Sequence, residues 1–346
     1  MNLKDQIWDV IIIGAGISGL SARRTMKAQG YHVLTFEKSR GLGGRAATRR
    51  VDGITFDLGA QFFSAKGPEL QTLLASLHPH KKEELKAIQL ADSHLHSRWI
   101  HSRGMSRVSS FLVEDPMDIS SPILCSTRVM RLTFDSRKGT WQVVTEANEP
   151  FQANTVVIST PVPQSLELLS GIENWIDPIL FKKLKDISYH SCIAAAYILQ
   201  ESMDIKDFGV LRYPSEEIAG IFNQSQKGIL TTSPVLVVHT APQWSKTLWS
   251  LPDSRILDEI WKKTQAILSI YRFADSFQSA SVHKWRYSEP KIRQKEFFER
   301  IQIHPASTLF LVGDSFRDSR IEGAFESGRL AGMALANFNP RTLNVP

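Results

Sequence analysis

The stretch that decides the fold is DVIIIGAGISGL, residues 9–20. The apolar, β-rich run 8–13 predicts a strand, and the helix formers of residues 18–29, followed by a glycine, predict a helix that ends there. Between the two stands the spacing G-x-G-x-x-G, residues 14–19, and residues 31–36 predict the next strand. A strand, a glycine turn, a helix and a second strand form the βαβ unit that holds the pyrophosphate of a dinucleotide.

Each residue of this turn has a physical task. Gly14 permits the tight turn, Gly16 lets a phosphate approach the backbone, and Gly19 lets the helix pack closely on the strand. Ser18 offers a hydroxyl at the positive end of the helix. Glu37 lies 18 residues past Gly19, close to the spacing of about 20 expected for the acid that binds the ribose. The set predicts a dinucleotide without distinguishing NAD from FAD, and a glycine turn without a ligand is the alternative.

A second glycine loop follows at once in EKSRGLGGR, residues 37–45. Gly41, Gly43 and Gly44 allow the chain to fold back over the pyrophosphate. Arg45 is then brought against the phosphates or the ribityl chain beyond them. An NAD-binding domain has no need of such a loop at this place, so the loop favours FAD.

The far end of the chain points to the same cofactor. Residues 308–313, TLFLVG, predict a buried strand that ends at Gly313 and Asp314, and a helix is predicted to begin near Gly323. The start of a helix presents amide groups and positive potential, which would stabilise the negative charge that a flavin N1–C2=O edge gains on reduction. Small residues recur at every fourth position from Ala324, which predicts close packing of this helix against the sheet.

Composition narrows the class of protein. A chain of 346 residues with 42% hydrophobic and 22% charged residues is typical of a globular protein with about two domains. The basic residues behind the net charge of +6 are scattered, which argues against binding of nucleic acid and suits binding of a small anionic molecule.

Cys125 and Cys192 lie far apart and predict neither a disulfide framework nor a zinc site. No signal peptide or membrane span is evident, so a cytoplasmic location is expected. The patterns of a serine esterase and of a P-loop ATPase are absent.

A series of stretches carries a resemblance to a known family. In chain order they read IIIGAGISGL, FEKSRGLGGR, FDLGAQFF, GMSRV, VVISTPVPQSL, VVHTAPQWS, HKWRYSEP and LFLVGDSF with IEGAFESG. Together they resemble the renalase-type branch of the flavin amine oxidase superfamily over nearly the whole chain. The resemblance implies an α/β fold: a Rossmann-like FAD-binding domain of the glutathione-reductase and amine-oxidase type, with an inserted α+β substrate domain built on a mixed sheet plus helices.

The resemblance also implies how the chain is divided. The FAD-binding domain is expected to be discontinuous, formed by residues 1–64, 104–171 and 281–340. Residues 65–103 and 172–280 are expected to form the substrate domain, and residues 341–346 a flexible tail.

The resemblance further assigns the cofactor contacts. The expected FAD-binding residues are Gly14, Gly16, Ser18, Gly19, Glu37, Lys38, Gly43, Gly44, Arg45, Ala60, Gln61, Phe62, Val129, Gly313, Asp314, Glu322, Gly323 and Ala324. By position, Val129 meets the adenine, residues 60–62 approach the isoalloxazine, Asp314 lies by the ribityl chain, and Gly323 with Ala324 meets the flavin C2=O edge. Since no cysteine follows Cys192, the FAD is expected to be non-covalent.

Catalytic residues are predicted with alternatives left open. Hydride transfer to a flavin needs a substrate held face to face with the ring more than it needs a strong base. Trp285 is the first candidate for stacking on the substrate, and a core tryptophan is its alternative. His239 and Asn223 are the further candidates, because by the resemblance they, with Trp244 and Lys227 near them in sequence, match positions that line the substrate side. A packed histidine or a solvated loop residue is the alternative for each.

By the resemblance, the hypothesis is an FAD-dependent oxidase that converts the 2- and 6-dihydro isomers of NAD(P)H to NAD(P)+ and reduces dioxygen to hydrogen peroxide. Oxidation of a small amine, or desaturation of a hydrophobic substrate, is the runner-up. A flavin-binding sensor without turnover and an NAD dehydrogenase remain as further alternatives. Ser315 departs from renalases, in which an aromatic residue often follows the Gly-Asp pair.

A metal site is not predicted. His94, His96 and His101 with Asp92 contain an H-x-H spacing, but the sequence shows no partner cluster.

Overall fold

The computed structural model describes residues 3–90, 97–113, 118–269, 276–291, 300–304, 307–318 and 320–338. The chain forms two compact units. The first unit comprises Met1–Gly44, Ser109–Ser188 and Pro290–Pro346, and the second comprises Arg45–Val108 and Tyr189–Glu289.

Strands occupy both units. In chain order they are β1 (Ile7–Ile13), β2 (Val33–Phe36), β3 (Thr48–Val51), β4 (Ile54–Asp57), β5 (Leu85–Ile88), β6 (Arg98–His101), β7 (Ile123–Leu124), β8 (Val129–Asp135), β9 (Thr140–Thr145), β10 (Pro150–Ile158), β11 (Tyr189–Leu199), β12 (Val210–Arg212), β13 (Ile218–Asn223), β14 (Val235–Thr240), β15 (Phe277–Pro290), β16 (Arg300–His304) and β17 (Ser307–Leu311).

Helices alternate with the strands. They are α1 (Ile17–Ala28), α2 (Pro68–Ala75), α3 (Pro79–Glu83), α4 (Val162–Leu169), α5 (Pro178–Lys185), α6 (Lys206–Gly209), α7 (Gln224–Lys227), α8 (Pro242–Leu248), α9 (Asp253–Leu268) and α10 (Ile321–Phe338). Short 3-10 helices cover Met105–Phe111, Glu173–Trp175 and Asp314–Phe316.

The first unit is built on an eight-stranded mixed sheet. Its main path is β16-β17-β10-β1-β2-β7, and β9 pairs with β10 and β8. Strands β2, β1, β10 and β17 are parallel and in step, since Ile13 pairs with both Phe36 and Ile158, and Ile158 pairs with Leu311. The carboxyl ends of these strands therefore meet at one edge of the sheet, where a doubly wound fold binds its ligand. The predicted βαβ unit and the buried strand near residue 310 are confirmed.

Helices α1 and α10 pack on each other almost backbone to backbone. A Cβ on Gly328 would lie 2.0 Å from the carbonyl oxygen of Ser18, and one on Gly332 would lie 2.6 Å from Cβ of Thr25. The Ser21 hydroxyl donates to the Phe325 carbonyl at 2.6 Å. The predicted close packing exists, but the partner predicted for Gly328 and Gly332 was wrong: it is helix α1 and not the sheet, because α1 also presents small side chains.

The second unit is built on the sheet β12-β13-β14-β11-β15. Alternation along β14 sends Leu236 and Val238 into a core with helix α9, while Val235 and Val237 enter a second core with β4, β5 and β6. His239 follows Val235 and Val237 at the same spacing of two, and Trp285 of β15 packs against that second core. One face of this sheet thus holds two of the three catalytic candidates.

The boundaries of the units differ from the expected domains. Residues 45–64, 104–108 and 281–289 were expected in the FAD-binding domain and lie in the second unit, because β15 pairs within its sheet and Phe56 of β4 lies in its core. Residues 172–188 were expected in the substrate domain and lie in the first unit, where Trp175 packs edge-on to Phe134 at 5.6 Å.

Within the described ranges, no helix is both long and apolar enough to cross a membrane. Asp92, His94 and His96 lie outside the described residues, as does the tail 341–346. His101 is buried; its Nε2 lies 3.3 Å from Oε2 of Glu84, and its Nδ1 accepts from the Arg103 amide.

Candidate active site

The first glycine loop contains glycines of two kinds. Gly14 has φ +103°, and a Cβ on it would lie 2.6 Å from the Ser159 hydroxyl. A Cβ on Gly19 would lie 2.1 Å from the Gly14 carbonyl, so both glycines are required by the fold itself. Gly16 has ordinary extended dihedrals and nothing within 4 Å of the position of a Cβ. Packing within the protein therefore does not explain why residue 16 is a glycine. A ligand that approaches its backbone closely would explain it.

Glu37 is placed as a ribose acceptor would be. The side chain is buried at the carboxyl end of β2, and its Oε2 accepts from the Ala15 amide and its Oε1 from the Ser39 amide, each at 2.8 Å. Two backbone donors fix the carboxylate and leave each oxygen a further lone pair. Lys38, the next residue, is exposed.

The second glycine loop lies on the first. The Gly43 amide donates to the Ala15 carbonyl at 2.9 Å, and Gly43 forms a parallel bridge with Gly16. Gly44 has φ +58°, and a Cβ on it would lie 3.2 Å from Cα of Gly16. The loop folds back as the glycine spacing predicts.

The carboxyl end of β17 is tied to helix α10. The Gly313 amide donates to the Ser327 hydroxyl at 3.0 Å, and Asp314 is buried beside it. A Cβ on Gly323 would lie 1.9 Å from the Asp318 carbonyl, so this glycine is required by packing.

The start of helix α10 differs from the predicted one, and the contact of Gly323 and Ala324 with the flavin stays a prediction. Helix α10 begins at Ile321 and not at Gly323, because the Arg320 carbonyl already accepts from the Ala324 amide at 2.9 Å. The Ala324 N–H is therefore engaged within the helix. Glu322 and Gly323 lie in the first turn, where the positive end of the dipole is strongest.

The first unit fits the FAD pyrophosphate and ribose. The space at Gly16 is open, and in the described part of the chain the Ser18 hydroxyl has no hydrogen-bond partner although the residue is buried. The Glu37 carboxylate is already oriented. Val129 is buried in the β8–β9 hairpin, where it pairs with Thr145.

The other cofactor candidates belong to the second unit. Arg45 Nη1 donates to the carbonyls of Ser288 at 3.1 Å and Tyr287 at 3.5 Å. The Ala60 amide donates to the Arg45 carbonyl at 2.9 Å, so residues 45 and 60 are held together by backbone. Phe62 is partly buried under the Arg98 guanidinium, which lies 5.6 Å from its ring centre.

A single carbonyl joins His239 and Trp285. Nε2 of His239 and Nε1 of Trp285 each lie 3.0 Å from the Leu58 oxygen. An indole nitrogen only donates, and a carbonyl only accepts. His239 also meets the Phe222 ring edge-on, at 5.1 Å between centres. The structure thus brings together two catalytic candidates that are 46 residues apart in sequence.

Burial makes His239 a neutral hydrogen-bonding group. Loss of solvation lowers the pKa of His239 to about 4, the Leu58 carbonyl opposes this shift, and the nearby Lys227 charge adds to it. A neutral imidazole that donates from Nε2 carries its lone pair on Nδ1. Nδ1 has no partner among the described residues, so it is free to accept a hydrogen bond from a substrate.

Behind this carbonyl lies a network that the sequence analysis missed. Lys227 Nζ lies 3.1 Å from Oδ2 of Asp57 and 2.8 Å from Oε1 of Gln61, and neither charged side chain is exposed. Burial lowers the pKa of Lys227, and the Asp57 carboxylate opposes that shift. The Gln224 side chain links the two partners of Lys227: it accepts from the Asp57 amide and donates to the Gln61 side-chain oxygen. In the sequence, Asp57 lies in the stretch ITFDL and Lys227 ends the polar stretch NQSQK, and neither position indicates that the two side chains meet.

Asn223 and Trp244 have other environments. The Asn223 side chain caps helix α7 by accepting from the Gln226 amide at 3.2 Å, and it donates to the Met203 carbonyl at 2.8 Å. Trp244 packs against the core on the α9 side of the sheet. Lys227 is fully buried and exposes no atom to a substrate. The contacts of Asn223 are those of a helix cap, and its predicted catalytic role stays a prediction.

Two family models match the chain. An NAD(P)-binding Rossmann-like domain matches residues 12–77, and the flavin-containing amine oxidoreductase model matches residues 84–335. The second match covers well over half of the chain. The chain belongs to the flavin-containing amine oxidoreductase family. It is therefore an FAD-dependent oxidoreductase with a Rossmann-like domain.

Two proteins are similar to this chain in sequence, and one solved structure shares its fold. A Mycobacterium tuberculosis protein named as a flavin-containing monoamine oxidase is 43% identical over 67 residues, 19% of this chain and 14% of its own length. Mouse renalase is 24% identical over 92% of this chain and 96% of its own length. A crystal structure from Exiguobacterium, named as a protoporphyrinogen oxidase, superposes with a TM-score of 0.72 at 14% identity, covering 94% of this chain and 98% of its own.

Proposed function

We propose that this oxidoreductase is an oxidase of the renalase type, which converts the 2- and 6-dihydro isomers of NAD(P)H to NAD(P)+. The observation that carries the proposal is the extent of the similarity to mouse renalase, which covers 92% of the chain, whereas the similarity to the mycobacterial monoamine oxidase covers 19%. When bound, FAD would supply the acceptor for a hydride from the substrate, and the two electrons, with the proton of that hydride and one proton from solvent, would reduce dioxygen to hydrogen peroxide.

The chain's own part in this reaction is to bind and orient. A dihydropyridine is already a hydride donor, so the protein needs to hold it in place and exclude water rather than to remove a proton. Trp285 offers a flat apolar surface, and Nδ1 of neutral His239 accepts a hydrogen bond, for example from the carboxamide N–H of a nicotinamide. Both rings are fixed on the Leu58 carbonyl.

The cofactor roles follow from the positions described above. We assign the FAD pyrophosphate to Gly16, Ser18 and the loop at Gly43 and Gly44, and the adenosine ribose to Glu37. The remaining assignments, Arg45 to the phosphates or the ribityl chain, residues 60–62 to the isoalloxazine and Val129 to the adenine, rest on the resemblance.

The test is an anaerobic mixing experiment. NAD+ treated with borohydride contains the 2- and 6-dihydro isomers, and adding it to the yellow holoenzyme is expected to bleach the flavin absorbance within seconds. Readmitted air should restore the colour and release hydrogen peroxide in an amount equal to the substrate consumed. Ordinary NADH, which is the 4-dihydro isomer, is the matched control and should react far more slowly. A flavin spectrum that the isomers leave unchanged would refute the proposal.

Oxidation of a small amine is the second candidate, because the local match to the mycobacterial monoamine oxidase has the higher identity, 43%. A panel of primary and secondary amines, and a desaturase substrate such as a carotene precursor, is mixed with the enzyme in the same way. Bleaching by one of these compounds and not by the dihydropyridines would replace the proposed function with this candidate.

A further inference from the structure

The ion pair of Lys227 and Asp57 in the second unit is closed to solvent, and each of its charged atoms has a hydrogen-bond partner. Lys227 and Asp57 are both fully buried, and Oδ1 of Asp57 accepts from the Thr48 hydroxyl at 2.6 Å and from the Met105 amide at 2.7 Å. Removing two charges from water is costly unless further hydrogen bonds compensate. Such a pair contributes more to holding one arrangement of its neighbours than to stability.

The neighbour that it arranges is Gln61. An ammonium group only donates, so the Gln61 atom 2.8 Å from Lys227 Nζ must be the carbonyl oxygen Oε1. Gln224 agrees independently: its Oε1 accepts from the Asp57 amide at 3.0 Å, so the group that it presents to Gln61 at 2.9 Å is its NH2. Gln61 Oε1 therefore accepts twice.

The orientation of the Gln61 amide determines which group accepts the hydrogen bond of His239. Gln61 Nε2 points the other way, donates to the carbonyls of Asp57 at 2.6 Å and Gly59 at 3.1 Å, and lies 3.5 Å from Nε2 of His239. Two donors cannot bond to each other, so the Nε2–H of His239 is directed to the Leu58 carbonyl, which also accepts from Trp285. A reversed Gln61 amide would offer its oxygen and compete with Leu58.

We infer that Lys227 is a positioning residue: by holding the carbonyl of Gln61, it leaves the Leu58 carbonyl as the acceptor that fixes both His239 and Trp285. Lys227 acts through Gln61 and touches neither ring. The consequence for substrate binding rests on the proposed function, in which those rings hold the substrate, whereas the consequence for the hydrogen bond of His239 does not.

The informative variant removes both charges together. Lys227→Met alone would leave a buried carboxylate unpaired and destabilise the fold. In Asp57→Asn with Lys227→Met, the asparagine oxygen still accepts from Thr48 and Met105, and Gln61 Oε1 loses its Lys227 donor while it keeps Gln224. Asp57→Asn alone is no control, because it would set two donors against each other and leave the Lys227 charge buried and unpaired. Lys263→Met is the matched control, because Lys263 forms a partly exposed ion pair with Glu217 at 2.7 Å in the same unit.

The first readout is nitrogen NMR of the histidine rings in the holoenzyme, with the His239 signals assigned by their loss in His239→Gln. In the wild type we expect the proton on Nε2, bound to the Leu58 carbonyl, and a bare Nδ1. In the double variant we expect the proton to stay on Nε2, because Leu58 and a reversed Gln61 both present an oxygen, and the resonance of this N–H to shift or double as the bond is shared between the two acceptors. The second readout is kcat/KM with the substrate that bleaches the flavin, which should fall about tenfold or more in the double variant, because small misplacements of positioning groups are costly. Lys263→Met should change neither readout.

The outcomes separate this inference from the proposed function. A wild-type His239 with its proton on Nδ1 overturns the inference, whether or not the variants fold. A folded, FAD-loaded double variant with the wild-type Nε2–H resonance and wild-type kcat/KM also overturns it. If the resonance changes as expected while the dihydropyridine isomers fail to bleach the flavin, the positioning role stands and the proposed function fails.

Discussion

At the scale of the residue, burial determines the charge state of two histidines. Loss of solvation is the main cause that lowers the pKa of both His101 and His239 from 6.5 to about 4. For His101, the Glu84 carboxylate opposes the shift, and the charges of Arg107 and Arg103 add to it. Only 1% of His101 is exposed. Both imidazoles are therefore neutral in the folded protein at pH 7.

We predict that His101 makes the protein sensitive to acid. Between pH 6.5 and 4 the unfolded chain binds a proton at this residue and the folded chain does not, so stability is complete above about pH 6.5 and decreases as the pH falls toward 4. The contribution lost is of the order of 3 kcal/mol. Denaturant unfolding of His101→Gln at pH 7, 5.5 and 4.5 should show a smaller loss of stability on acidification than the wild type. His32→Gln, at an exposed histidine, is the control and should keep the wild-type slope. An unchanged slope in His101→Gln contradicts the prediction.

Single residues were predictable from sequence where their role is local. Gly14, Gly19 and Glu37 lie within one βαβ unit, so spacing alone indicates their contacts. The pair of Asp57 and Lys227 was missed because it joins residues 170 positions apart, and only the folded chain shows that they meet. Neither residue differs by itself from an ordinary surface charge.

At the scale of the element, helix α10 shows what a glycine pattern can and cannot indicate. The recurrence of small residues predicts close packing, and the closeness is confirmed by the approach of Gly328 to Ser18. The pattern does not indicate which element packs against these residues. A helix face made of small residues can pack closely against a sheet or against another helix with small side chains. The start of the helix was also misplaced, since the capping carbonyl of Arg320 lies in a segment without a sequence signal.

Gly328→Ala is predicted to destabilise the protein. The added Cβ would lie 2.0 Å from the Ser18 carbonyl and 2.8 Å from the Ala22 amide, both backbone atoms, so α1 and α10 would have to separate. Overpacking of this kind costs about 1–3 kcal/mol, and the melting temperature of the FAD-free protein should fall by several degrees.

Gly16→Ala is the matched control for that variant. Its Cβ meets nothing within 4 Å and its backbone dihedrals suit any residue, so the FAD-free protein should melt at the wild-type temperature. The same methyl group would occupy the space assigned to the pyrophosphate, so Gly16→Ala should lose FAD during gel filtration. Equal melting temperatures for Gly328→Ala and the wild type would contradict the packing argument, and full retention of FAD by Gly16→Ala would contradict the assigned phosphate site.

At the scale of the whole molecule, net charge distinguishes the two candidate substrates. The chain carries a formal charge of +6 at pH 7. A dihydropyridine dinucleotide is anionic through its phosphates, whereas an amine is cationic at the same pH. A net charge of this sign attracts the former and repels the latter over a distance that salt shortens, since the screening length is about 30 Å at 0.01 M and 8 Å at 0.15 M ionic strength.

We therefore predict that kcat/KM for the 2-dihydro isomer of NADH falls by about two- to fivefold when NaCl is raised from about 0.01 to 0.15 M, because screening removes the attraction between protein and substrate. The matched control is the corresponding dihydro isomer of nicotinamide riboside, which has the same reacting ring without a phosphate and should show no such dependence. Stopped-flow bleaching of the flavin under anaerobic conditions measures both rates directly and is independent of reoxidation. Equal salt dependence for the two substrates would indicate that the protein itself changes with salt. A rate for the dinucleotide that rises with salt would mean that the charge near the substrate's route is negative, which would favour the cationic amine as the natural substrate.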